Sequence, residues 1–488
     1  MSRTLPRLAA SLAIALAACR HPGHHTNPAP AEALRRTAVA RAFEECKDSV
    51  VKFTASRVEE TVKPPADGKG PSTRIRTTHT QWGSGCIIHP AGYVLTNSHM
   101  LRFEGRRTAM LSDGKSYPTQ VIAEDPANDL ALMKVEAGRP LKPIKLGTSS
   151  QTIVGEPAIT IGNPFGISFT VAAGIISGLG RSTTTDYSSL SDMIQTDASI
   201  NPGTSGGPLL NILGEMIGLC TSAKKDAQNI GFATPIDKIR SLFAGLVAAE
   251  ERYGFILGLE VASDGPAAVT KVAPSSPAEA AGIQVGDIVA ELGGQPVRSG
   301  MDYHLALIGR KGGETLSAVL LRGGRRVEAA ITLGEVEHRA PDQVDGLVPG
   351  VAWQHYHGAW KELPDFAKLK PAASGTLPAF SLGAYAGREN FAMRYTAYIQ
   401  APTDGVYLFS TRSDDGSRLY IGERLVVDND GLHPAQERRG FIPLRAGKHA
   451  ICVTYFQGPG DAELKVFYEG PGITRREVPA SALFRPGP

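Results

Sequence analysis

Five cysteines in 488 residues are too few and too scattered for a disulfide framework, and their spacing matches no zinc site. The longest apolar run, Leu8 to Ala18, falls far short of the roughly 20 residues that cross a bilayer as a helix. Net charge is small: 51 basic against 48 acidic residues give +3, and setting aside Arg3 and Arg7 of the first 18 residues leaves +1. Such a balance gives no basis for a nucleic-acid partner. Gly (54) and Pro (34) stay below the roughly 25–30% share that marks low-complexity disorder. What remains is a turn-rich chain whose length suits about three domains of ~150 residues each.

The first 18 residues combine a basic start, an Ala/Leu-rich stretch and small residues at the end, the form of a secretory signal peptide. The run closes Leu16-Ala17-Ala18-Cys19, which resembles a bacterial lipobox and implies that Cys19 carries lipid. Soluble domains would then be anchored in the periplasm, at the outer membrane in preference to the inner. Residues 19–33, with three histidines and three prolines, read as a flexible tether.

Residues 34–53 read as a short helix leading into a strand, and the polar stretch from Ala55 to Thr80 as a long exposed loop. From Trp82 to Phe232 short apolar runs alternate with Gly, Pro, Asn or Asp, which argues for an all-β barrel or sandwich. Helical periodicity takes over at 237–250. Residues 255–334 mix short strands with helices at Ser276 to Ala281 and Met301 to Ile308, the latter opened by a Ser299/Asp302 capping box. A charged linker, 335–348, precedes a last strand-rich segment that reads as a β-sandwich. The fold class is mainly β.

The strongest chemical signal is NPGTSGGPL, residues 201–209. A serine flanked by glycines lets a carbonyl approach closely and lets backbone N–H groups converge on an oxyanion; Gly203 and Ser205 would supply them. A serine nucleophile needs a base, and the base needs an orienting carboxylate. His99 follows the run YVLTNS, and Asp129 opens DLALMKV. The order His99, Asp129, Ser205 in a β-rich setting is that of the chymotrypsin-type triad.

On these blocks, with IGNPFG (161–166), GIISGLGR (174–181) and NIGFATPID (229–237), the chain resembles the HtrA/Deg group of trypsin-like serine proteases. The resemblance implies a chymotrypsin-like double β-barrel at 34–250, with His99 as general base, Asp129 as its orienter and Ser205 as nucleophile, and with no cofactor for catalysis. Thr204 stands where the family usually has Asn. Ser199, Ile200 and Cys220 would form the specificity pocket; none is charged, so cleavage is expected after small or aliphatic residues. The group assembles as homotrimers, which the resemblance alone implies here.

ILGLEV (256–261) and VTKVAPSSPAEAAGIQVGDIVAELGGQPV (269–297) resemble a PDZ module, a small α+β domain at 251–334. Ile256, Leu257, Gly258 and Leu259 match its carboxylate-binding loop, which implies capture of hydrophobic peptide C-termini by strand addition. The helix carrying Tyr303, His304 and Leu307 would wall the groove. Residues 349–484 resemble the protective-antigen-type β-sandwich of bacterial toxins, glycosidases and yeast adhesins. Asp414 and Asp415 match the adjacent pair that holds calcium, and through it carbohydrate, in the adhesins; Asp428, Asn429 and Asp430 could add oxygens. A surface Asp-Gly turn is the alternative.

Two functions are open at this stage. One is a lipid-anchored endopeptidase acting on misfolded or damaged exported proteins; the other is a non-proteolytic surface binding protein or chaperone on an inactive protease core.

Overall fold

A computed structural model describes residues 35–63, 73–103, 105–163, 169–184, 189–223 and 228–487. The signal peptide, Cys19 and the tether lie outside the described residues. Among the described residues no helix is long and apolar enough to cross a membrane.

Helix α1 (Ala38–Cys46) is capped by the Thr37 hydroxyl, which accepts from the Ala40 N–H at 3.2 Å. Two closed six-stranded barrels follow. The first runs β1 (Val50–Lys63), β2 (Thr73–His89), β3 (Tyr93–Thr96), β4 (Arg106–Met110), β5 (Ser116–Asp125) and β6 (Leu130–Val135). The second runs β7 (Pro157–Gly162), β8 (Thr170–Thr184), β9 (Ser189–Thr196), β10 (Pro208–Leu210), β11 (Met216–Ala223) and β12 (Gly231–Pro235). Closure pairs β1 with β4 in the first barrel and β10 with β7 in the second, leaving no open sheet edge there.

The expected loop from Ala55 to Thr80 is instead a long hairpin, in register from Val50 opposite Cys86 to Lys63 opposite Thr73. Its positions 57–60 and 76–79 are exposed, so they show no polar/apolar alternation. Threonine and valine suit the pleat, and cross-strand contacts link the two strands, the Arg76–Glu60 ion pair at 2.5 Å and His79 against Glu59 at 3.2 Å.

The barrels end in α2 (Ile236–Val247), whose Ile239, Phe243, Leu246 and Val247 are buried, followed by the short α3 (Ala249–Tyr253). Ala248 between them is left-handed, φ +45°, as is Gly254 after α3, φ +68°. The α+β unit then sets a four-stranded sheet, 288–292, 295–296, 315–322 and 325–332, beside two small two-stranded sheets. Its helices are α4 (Pro277–Ala280), capped by Ser276, and α5 (Gly300–Ala306), capped by Ser299. Its core is continuous with that of the barrels: α5 packs on α2, with the His304 and Phe243 rings 6.4 Å apart. Burial pushes His304 down to about 4, so its ring stays neutral in this contact at neutral pH.

Residues 335–348 are not a free linker. Gly334–Glu335 pairs with Phe255–Ile256, the Arg339 N–H donates to the Pro443 carbonyl at 3.0 Å, and Leu347–Pro349 is already a strand of the sandwich. The sandwich itself is an eight-stranded sheet facing a four-stranded one over a separate core that includes Tyr395, Phe409 and Tyr455. It docks on the first barrel through arginines. Arg439 donates to the carbonyls of Glu124 and, at 2.9 Å, Gly245; Arg252 of α3 pairs with Glu469 at 3.2 Å.

Candidate active site

Asp129 sits at the entry to β6 with φ +52°, a conformation unusual for a residue with a side chain. Asn97 holds it there, its amide donating to the Asp129 carbonyl at 3.0 Å and to the Thr221 hydroxyl at 3.3 Å. From this position the buried carboxylate accepts from the His99 N–H at 2.9 Å and meets His99 Nδ1 at 2.8 and 3.0 Å. The imidazole is thus held from both its backbone and its ring, and Nδ1 is committed as a donor to the carboxylate. With Nδ1 so committed, Nε2 is the ring nitrogen that serves proton transfer.

Ser205 comes from the other barrel. The N–H of Ser84, on β2, donates to the Ser205 carbonyl at 2.8 Å, and the Ser84 hydroxyl donates to the Gly203 carbonyl at 2.8 Å while accepting from the Asn163 N–H at 3.0 Å. Gly206, φ +83°, makes this approach possible: a Cβ there would meet the Ser84 carbonyl at 2.1 Å. The carbonyls of Gly203 and Ser205 are therefore both bonded to the first barrel. Among the described residues neither the Gly203 nor the Ser205 N–H has an internal acceptor. Thr204 closes the turn before the nucleophile by donating its N–H to the Asn201 carbonyl at 2.8 Å. The Ser205 hydroxyl itself donates to the Thr221 carbonyl at 3.0 Å, so reaction begins with its rotation.

Ile200 and Cys220 belong to one buried apolar cluster with Ile176, Ile194 and Ala233. Ile200 lies across Gly231, where a Cβ would come within 2.7 Å of it. Cys220 has no exposed surface and belongs to the core side of this cluster. Its thiol is pushed up to about 12 by burial and is inert. Ser199 is exposed, its carbonyl accepting from Thr160 at 3.2 Å. Sequence reasoning missed Ser84, Asn97 and Thr221. Of these only Ser84, inside GSG, carries a visible signal.

In the α+β unit Leu257 and Leu259 are core side chains, while Ile256 is exposed. The N–H groups of Leu257 and Gly258 do converge on a carboxylate, that of Glu250, at 2.8 and 3.2 Å. Tyr303 and Leu307 are buried in the core and His304 faces α2, so α5 presents less of itself to a groove than expected.

On the sandwich, Asp415 accepts from the N–H groups of His433 (3.0 Å) and Gly458 (2.9 Å), and Asp414 from Ala435 (3.1 Å). Burial and the neighbouring Asp415 push Asp414 up. Asn429 donates to Ser413, next to this pair, at 3.0 Å, while its Oδ1 is buried without a partner among the described residues. Two carboxylates and an orphaned amide oxygen fit a hard cation. Asp428 and Asp430 instead pair with Arg418 at 3.0 and 3.3 Å. Among the described residues no three His, Cys, Asp or Glu side chains group as metal ligands.

Family models match three segments: a trypsin-like peptidase domain at 83–219, a PDZ domain at 255–333 and a PA14 domain at 380–482. A Synechocystis sp. protein named as a serine protease, HhoA, is 37% identical over 283 residues, covering 52% of this chain and 71% of that protein. The periplasmic pH-dependent serine endoprotease DegQ of Escherichia coli is 35% identical over 268 residues, covering 51% of this chain and 59% of its own length. The chain thus spans only about three fifths of DegQ. A solved structure of the HtrA-type protease AlgW with a decapeptide, 27% identical, covers 62% of this chain and 99% of its own, with a TM-score of 0.37. With a His99–Asp129 pair on one barrel and Ser205 on the other, the chain belongs to the HtrA/Deg family of trypsin-like serine endopeptidases, extended by a PDZ and a PA14 domain.

Proposed function

We propose that the chain cleaves misfolded or damaged exported proteins in the periplasm through an acyl-enzyme. The observation that carries this reading is the doubly held His99–Asp129 pair of the first barrel, with the turn that carries Ser205 bonded to the same barrel at Ser84. The Ser205 hydroxyl turns from the Thr221 carbonyl to His99 Nε2, which takes its proton as the oxygen attacks a peptide carbonyl carbon. The Gly203 and Ser205 N–H groups receive the oxyanion, a contribution of about 10²–10³ in rate for each such donor. His99 then gives its proton to the leaving amine, and water, deprotonated by the same ring, hydrolyses the ester. With no charge on Ser199, Ile200 or Cys220, the residue before the cut is small or aliphatic. Profiling with a peptide library is expected to show that preference, with turnover falling at least ~10³-fold in Ser205→Ala. A preference for Lys or Arg, or hydrolysis surviving in the variant, would contradict the assignment.

Two further roles complete the reading. The lipobox-like LAAC supports anchoring through Cys19. The wild-type chain is then expected in the membrane fraction and Cys19→Ser in the soluble periplasmic extract, and identical partitioning would refute the anchor. Asp414 and Asp415, with the orphaned Asn429 oxygen, support a calcium ion open to carbohydrate hydroxyls. Titration calorimetry of the full chain should give calcium heat that Asp415→Asn abolishes; no heat from the wild type ends this proposal.

A further inference from the structure

A PDZ loop receives a peptide terminus in two ways: converging backbone N–H groups hold the carboxylate, and main-chain groups of the adjacent strand edge pair with the incoming strand. In this chain two of those N–H groups and one carbonyl of that strand are already engaged from within. The Leu257 N–H donates to Glu250 Oε2 at 2.8 Å, and the Gly258 N–H meets both Glu250 oxygens, at 3.2 and 3.4 Å. Gly258 turns its N–H inward at φ +74°, where a Cβ would clash with Ser276 at 2.4 Å, so the loop geometry is built in. Beyond the loop, the Tyr303 hydroxyl donates to the Leu259 carbonyl at 3.1 Å, and the ring is buried.

Glu250 belongs to α3, the five-residue helix that joins the barrels to the PDZ domain. The helix is set off by two left-handed residues, Ala248 and Gly254. Glycine takes that conformation freely, whereas an alanine held there is strained. The break at Ala248 ends α2 and begins the separate helix that delivers Glu250 to the loop. A carboxylate tethered a few residues from its site acts at a high effective concentration, so it competes with any free C-terminus.

We propose that Glu250 is a resident pseudo-ligand of the PDZ domain, whose carboxylate occupies the place of a peptide's terminal carboxylate and must be displaced before a substrate tail binds. The proposal rests on the peptide-binding reading of the Ile256–Leu259 loop. Displacement would free the one helix that connects recognition domain and protease, so tail binding is felt at the junction. If the internal carboxylate holds the loop nine tenths of the time, it weakens apparent peptide affinity about tenfold.

The test uses the full mature chain in a Ser205→Ala background, to prevent cleavage, and a fluorescein-labelled octapeptide ending in Leu-Val as the free acid or the C-terminal amide. Anisotropy titration is expected to give a Kd about tenfold tighter for Glu250→Ala than for the parent with the acid peptide, and no saturable binding of the amide. Glu250→Gln keeps the side chain's length and loses only the charge; it carries the comparison should the alanine variant fold poorly, and is expected to tighten binding severalfold. Equal Kd values in parent and variants would overturn the role of Glu250 and leave peptide binding intact. No binding of the acid peptide by any of the three would overturn the peptide-binding reading and the pseudo-ligand with it.

Discussion

The hydrogen bonds of one serine hold the catalytic arrangement together. Ser84 belongs to the first barrel, yet its N–H and hydroxyl grip the carbonyls of Ser205 and Gly203 in the second. His99 and Asp129 are carried by the first barrel, so this seam, together with the Asn97–Thr221 bond, sets the separation of base and nucleophile. A misplacement of about 1 Å can cost ~10²-fold in rate. The seam leaves no room to adjust: a Cβ at Gly206 would strike the Ser84 carbonyl, and one at Gly162 would press on Thr204 at 2.8 Å. Substitution at either glycine therefore moves a barrel, not a side chain.

The added domains converge on the same region. The sandwich arginine Arg475 lies between Glu437, at 2.6 Å, and Glu124 of the first barrel, at 3.9 Å. Glu124 in turn accepts from the hydroxyl of Ser98, the residue before His99, at 2.7 Å. Burial pushes Glu124 up, partly offset by Arg475 and Ser98. The PDZ domain meets the protease through α2 and α3, and α3 carries Arg252 to Glu469 of the sandwich. Three units with separate sequence signatures thus share one charged junction beside the turn that holds the catalytic base.

Much of this was legible in the sequence, for physical reasons. Triad residues sit at strand ends with special backbone neighbours, and glycines beside Ser205 have no other purpose than close approach. Helix caps at Ser276 and Ser299 follow from local hydrogen bonding and appear where the sequence puts them. The paired strands at 55–63 and 73–80 were not legible, since their positions 57–60 and 76–79 are exposed and carry no apolar alternation. Nor could any pattern show that Cys220 lies wholly in the core or that Ser205 rests on the Thr221 carbonyl. The occupation of Leu257 and Gly258 by Glu250 escaped as well, because a glutamate in an acidic helical turn looks like ordinary surface charge.

The claim on which the rest turns is that His99 of one barrel activates Ser205 of the other across the Ser84 seam. It is tested most directly by labelling the mature chain with a small organophosphonate and locating the adduct by peptide mass mapping. The account predicts one adduct per chain, on Ser205, absent in His99→Ala and formed at least ~10-fold more slowly in Ser84→Ala. Labelling at another residue, or at an undiminished rate without His99, would contradict it.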